Sequence, residues 1–232
     1  MSEDYGLSFG DDDFLQNGLC FDKHASFLSK KFSSKDLEKY GIKIAEKDKI
    51  IFALGRCSIA KGFKELALAW SNIYKNIPDH YLVLQMPNNS AENDYFKEVK
   101  NILDDTEHYI VIDDFNPEIW KTVLRTENTN VVCIPSLMDP FPHTSIEAKL
   151  FSKGMDYVTI ISDVDGAVDA FGKDEAVYVD PRNTGLFSEK IVYATTLDSS
   201  VRKEMSDRNN ISIGRFNFPS IFEDFMHKNL FI

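Results

Sequence analysis

The chain has 232 residues and a formal charge of -11, a length that bounds one large domain, or one domain with extensions, around a sizeable core. The acidic balance, without a basic stripe, argues against nucleic acid as a partner, and no apolar run is long enough to span a bilayer. Cys20, Cys57 and Cys133 form no CxxC pair and the five histidines no HExxH, so reduced thiols, a cytoplasmic setting without a secretion leader, and no metal site are expected.

The elements follow in chain order. Residues 1–19 are rich in aspartate and glycine with little periodicity, and residues 1–44 as a whole are expected to be a tail or linker, except for a short helix beginning at Ser33 or Ser34 and stopping at Gly41. From residue 45 a regular alternation sets in. "KIIFALG" (49–55) is a β-rich run closed by glycine, and "KGFKELALAWSNIY" places Phe63, Leu66, Ala67 and Trp70 at helical spacing. Then come strand "HYLVLQM" (80–86), helix "AENDYFKEVKNIL" (91–103) and strand "YIVID" (109–113). "PEIWKTVLR" (117–125) is a helix with proline in its first position, followed by strands "NVVCIPS" (130–136) and "YVTIIS" (157–162). Apolar strands alternating with helices predict an α/β fold: a Rossmann-like parallel sheet with helices on both faces. Right-handed crossovers then bring the C-terminal ends of the strands to one edge, where ligands of open α/β sheets bind.

Two polar clusters fall on that edge. "GRCSIAKG" (55–62) turns from the first strand into the first helix and carries Arg56 and Lys61. Two cations beside a helix start suit a phosphate or diphosphate; the same charges also suit a solvated loop. The turn has neither GxGxxG nor GxxxxGK[ST], so it carries neither the dinucleotide nor the P-loop motif. The second cluster, "SLMDPFPHTSIEAKL" (136–150), has Asp139 in a loop and Glu147 eight residues later, about one turn inside a helix starting near His143 or Thr144. Helical side chains lean towards the N-terminus, so both carboxylates can border one cleft, with backbone N–H groups of Thr144 and Ser145 between them. Carboxylates hold sugar hydroxyls and free N–H groups hold phosphate. An ordinary turn aspartate and a first-turn glutamate would leave the same trace.

Together the clusters resemble the C-terminal, donor-binding half of a GT-B glycosyltransferase, of the retaining family 4 type. Gly55, Arg56, Lys61 and Gly62 fit the family's first turn, and Pro135, Ser136, Asp139, Phe141, Glu147 and Ala148 its acid-aromatic-glutamate stretch. "SDVDGAVDAF" resembles a later turn with Asp169 at its acidic place, "VYVDP" the next strand, "QNGLCF" the link between domains, and "FNFPSIFEDFMHKNLFI" a final helix. The departures are aspartate for glutamate at 139, Pro142 and Asp165 where glycine is usual, and Met-Asp after Gly154.

The resemblance implies a nucleotide-sugar-binding domain over 45–232 with a C-terminal helix, and an interdomain segment within 1–44. It implies that Arg56 and Lys61, with Gly55, hold the diphosphate, Glu147 the ribose and Asp139 the transferred sugar. Ser136, Phe141, Pro142, His143, Thr144 and Ser145 border the sugar and phosphates, and Asp114 and Phe115 the base. No metal or other cofactor is expected, since cationic side chains take that part. The expected partners are a nucleoside-diphosphate sugar and an N-terminal acceptor-binding domain, which this stretch does not contain, supplied in a longer chain or by a partner; peripheral membrane association would come through that domain. Transfer of a hexosyl group to a glycan, lipid or protein, with retention, would follow. The other readings are a non-catalytic binding or regulatory subunit and a GT-B nucleotide-sugar epimerase. The latter would lack this acid spacing.

Overall fold

The computed structural model describes residues 18–87, 93–139, 143–163 and 167–230. Six strands, β1 (Lys49–Leu54), β2 (His80–Gln85), β3 (Tyr109–Ile112), β4 (Thr129–Ile134), β5 (Val158–Ser162) and β6 (Val177–Val179), form one parallel sheet in the order β3-β2-β1-β4-β5-β6. The helices are α1 (Ala25–Leu28), α2 (Ser34–Leu37), α3 (Phe63–Ile73), α4 (Asp94–Asp104), α5 (Pro117–Leu124), α6 (His143–Phe151), α7 (Ala167–Ala170), α8 (Thr184–Thr196), α9 (Ser199–Ser212) and α10 (Phe218–Leu230). The Rossmann-like reading is therefore met, and the five expected strands lie where their apolar runs placed them. None of the helices is long and apolar enough to cross a membrane, among the described residues.

The alternation of side chains along each strand explains the two cores. Ile50 and Phe52 of β1, Val83 of β2, Val132 and Ile134 of β4 and Ile161 of β5 face one side, where α2, α5 and α6 cover them with Leu37, Ile119, Val123, Ile146 and Phe151. Ile51 and Ala53, Leu82 and Leu84, Val131 and Cys133, and Val158 and Ile160 face the other, under Phe63, Leu66 and Trp70 of α3, Val99 of α4 and Phe187 of α8. Because both faces are covered, the strands read as continuous apolar runs rather than alternating ones.

The helix ends follow their local signals. A capping box joins Ser33 and Asp36 at the start of α2, and Gly41, with φ of 78°, closes the 3-10 turn that extends it. Asn116 caps α5, with Pro117 in the first position. Residues 18–44, expected as tail and interdomain segment, lie against the first core, with Leu37 and Ile42 fully buried. The buried Arg125 fastens them: its guanidinium donates to the carbonyls of Leu28 and Lys30, and also to those of Phe151 and Lys153 beyond α6. A buried cation with four of its five donors taken by carbonyls avoids most of the penalty of desolvation without partners.

Candidate functional site

The strand order creates the site. From β1 the chain leaves through α3 on one face of the sheet, and from β3 it returns to β4 through α5 on the other. The connections diverge above the C-terminal ends of β1 and β4, which leaves a crevice there.

Two loops build its floor. After β1 come Gly55, the exposed Arg56, a 3-10 turn over Ile59–Lys61 and Gly62. After β4 come Pro135 to Asp139. The loops touch at Gly62, whose φ is 66° and where an added Cβ would lie 1.8 Å from the Pro135 carbonyl oxygen. Only glycine meets both the left-handed backbone and this approach. The Leu137 N–H donates to the Ala60 carbonyl at 2.8 Å, and Arg182, from the loop after β6, donates to the Leu137 carbonyl at 2.9 Å. With the loops held together, Lys61 Nζ lies 2.5 Å from Asp139 Oδ2, their side chains only 16% and 17% exposed.

Beside this pair is a cavity of about 230 Å³ lined by Leu54, Gly55, Arg56, Lys61, Gln85, Pro87, Phe115, Pro117, Trp120, Thr144 and Glu147. Arg56 and Lys61 reach it from the β1 loop, Thr144 and Glu147 from α6. Burial pushes the Glu147 carboxyl up to about 7, although Lys121 and Lys61 pull the other way. The opposite wall is the loop after β3, where Phe115 stands 74% exposed.

The residues expected from the sequence divide accordingly. Gly55, Arg56, Lys61, Phe115, Thr144 and Glu147 come together around the cavity, and Asp139 joins it through Lys61. Asp114 and His143 are exposed nearby. Ser136 is buried, its carbonyl accepting from the Ser162 hydroxyl, and Ser145 is buried with a hydroxyl that finds no partner. Phe141, Pro142 and Asp165 lie outside the described residues. Asp169 is exposed on α7, where its carbonyl accepts from Arg215.

Gln85 and Trp120 were not singled out from the sequence. The Gln85 amide nitrogen donates to the carbonyls of Asp114 at 2.9 Å and Asn116 at 3.0 Å, which fixes the loop that presents Phe115. Its signal was a polar residue at the end of an otherwise apolar strand. Trp120 backs the cavity and stacks edge-on against Phe151, their ring centroids 5.1 Å apart; on a helix of this pattern it reads as an ordinary core residue. Among the described residues no three His, Cys, Asp or Glu side chains cluster as metal ligands.

No curated protein matches the chain. Solved structures match it in fold. An alpha,alpha-trehalose-phosphate synthase (UDP-forming) from Burkholderia xenovorans, in complex with glucose-6-phosphate, superposes with a TM-score of 0.75 at 14% identity, covering 92% of this chain and 50% of its own. The N-terminal domain of a Candida albicans trehalose-6-phosphate phosphatase gives 0.74 at 16%, covering 93% and 49%. A structure from E. coli described as trehalose-6-phosphate bound with UDP-2-fluoro glucose gives 0.73 at 14%, covering 91% and 50%. The chain thus spans about half the length of these structures. The family model "Glycosyl transferases group 1" matches residues 34–210, which takes in the whole sheet and both loops of the crevice, and the chain belongs to that family.

Proposed function

We propose that the chain is the donor-binding half of a retaining, family-4-like glycosyltransferase, which holds a nucleoside-diphosphate sugar for hexosyl transfer to a glycan, lipid or protein. The reading rests on one observation: Arg56 and Lys61 from the β1 loop and Glu147 from α6 line one cavity above the point where the strand order reverses. In this reading Arg56 and Lys61 hold the diphosphate and stabilise the charge that grows on it as the sugar leaves. Preorganised donors of this kind each contribute roughly 3 kcal/mol, or about 100-fold in rate. Glu147 takes the ribose hydroxyls, Asp139 those of the sugar, and the base lies along Phe115 and Asp114. The cations do what a metal ion does in other transferases, so no cofactor is called for. The acceptor side comes from an N-terminal domain, fused or on a partner chain, in the cytoplasm.

The structural relatives, one UDP-forming and one bound with UDP-2-fluoro glucose, make UDP the first nucleotide to test. Calorimetry should show UDP binding to residues 1–232, weakened about tenfold or more by Arg56→Ala and by Lys61→Ala, since a charged hydrogen bond contributes roughly 1.5–3 kcal/mol. Parental affinity in the double variant would overturn the diphosphate assignment. Transfer by the same chain alone should be slight until an acceptor domain is supplied, because water would reach the donor; robust transfer without one would refute the two-domain reading.

A further inference from the structure

The cation best placed to receive a phosphate already holds an anion. Lys61 Nζ sits 2.5 Å from Asp139 Oδ2, and both side chains are more than four-fifths buried. The contact joins residues 78 apart in sequence. It is held by the floor beneath it: Leu137, two residues before Asp139, donates its N–H to the Ala60 carbonyl and accepts from Arg182, while Gly62 lies tight under Pro135. The stem of Lys61 runs over Gly55, within 3.4 Å of where a Cβ would stand. The ammonium is thus held at its stem and at its head, and a carboxylate oxygen takes one of the three donors with which it could meet a phosphate.

We infer that Asp139 is an internal competitor for the diphosphate: its carboxylate takes the phosphate's place on Lys61 in the empty site, and binding transfers Lys61 from Asp139 to the incoming anion. The inference rests on the reading of Lys61 as a diphosphate ligand. Three consequences follow from two anions sharing one cation. The empty site is held together without ligand. Nucleotide affinity is lowered by the contact that must be broken. The Asp139 carboxylate is released towards the sugar only when phosphate has displaced it, so one side chain senses the first part of the donor and contacts the second. A simple sugar ligand would have no bearing on bare nucleotide affinity.

The test is calorimetry on residues 1–232 with UDP, inorganic pyrophosphate and uridine. Asp139→Asn keeps the size and removes the charge. UDP and pyrophosphate should then bind roughly three- to tenfold tighter than to the parent, as expected when a partly buried anion no longer competes, and uridine, which carries no phosphate, should be unchanged. Asp139→Ala should show the same sign, which keeps the test decisive if one variant folds poorly; melting curves identify that case. Equal or weaker UDP binding in both variants overturns the inference while leaving the diphosphate site in place. A parent that binds neither UDP nor pyrophosphate brings down the proposed function, and the inference with it. A gain for uridine as large as that for UDP also overturns it, because the effect would then not pass through the phosphates.

Discussion

Lys149→Ala is expected to destabilise the fold by about 3–5 kcal/mol, the range for breaking a buried ion pair by removing one partner. Lys149 on α6 is fully buried. Its ammonium donates to the last carbonyl of α7, Ala170, at 2.8 Å and to Glu175 Oε2 at 2.6 Å, and it lies 5.2 Å from the centre of the Phe171 ring. Burial pulls its pKa below the usual lysine range, against the opposing pull of Glu175. Burial pushes Glu175 the other way, but the Gly172 N–H, Lys149 and Ser212 together hold its carboxyl below the ordinary glutamate value. Without the lysine, Glu175 keeps its charge in a nearly dry site, and desolvation of that charge is the source of the loss. Lys149→Met with Glu175→Gln removes both charges and keeps the volumes, so it should lose clearly less than Lys149→Ala alone. Urea unfolding of the three proteins measures this; a Lys149→Ala chain within about 1 kcal/mol of the parent would show that Glu175 is not stranded.

The second large effect depends on pH. Glu147→Gln should stabilise the ligand-free protein by about 2–3 kcal/mol at pH 8 and by almost nothing near pH 4.5, because a unit of pKa shift corresponds to about 1.4 kcal/mol. The sign follows from the direction of the shift. Burial raises the carboxyl from 4.5 to about 7, so the folded protein holds the proton more tightly than the unfolded chain. The stability this group contributes is fully present below pH 4.5, is lost as pH rises to about 7, and does not change above that. Glutamine imitates the protonated acid at every pH and escapes the loss. The same variant should bind UDP about tenfold more weakly if Glu147 holds the ribose, since a charge-assisted hydrogen bond becomes a neutral one. A gain in stability with a loss in binding is the pattern of a residue kept for its ligand. Unfolding of parent and variant at pH 5 and pH 8 decides the matter. A variant less stable at pH 8, or a difference that is the same at both pH values, would rule out a desolvated carboxylate.

Much of this was legible in the chain, because the signals are local. A strand covered on both faces needs a largely apolar run, so "KIIFALG", "HYLVLQM" and "NVVCIPS" announced β1, β2 and β4, which run Lys49–Leu54, His80–Gln85 and Thr129–Ile134. Gly41 ended one helix turn and Pro117 opened α5 for reasons that lie within a few residues of each. Arg56, Lys61 and Glu147 could be placed at the sheet edge because each follows a strand end at short range. The order of the strands could not be read in this way. It brings β1 beside β4 and so sets two loops against each other that the sequence keeps far apart. Tertiary structure alone decided that Lys61 meets Asp139, that Gln85 holds the loop of Phe115, that Lys149 is buried with Glu175, and that residues 18–44 lie against the core. Hydrophobic periodicity is a one-dimensional record of which side of an element meets the interior. Which polar groups meet each other depends on how those elements cross in three dimensions, and a buried charge shows its partner only there.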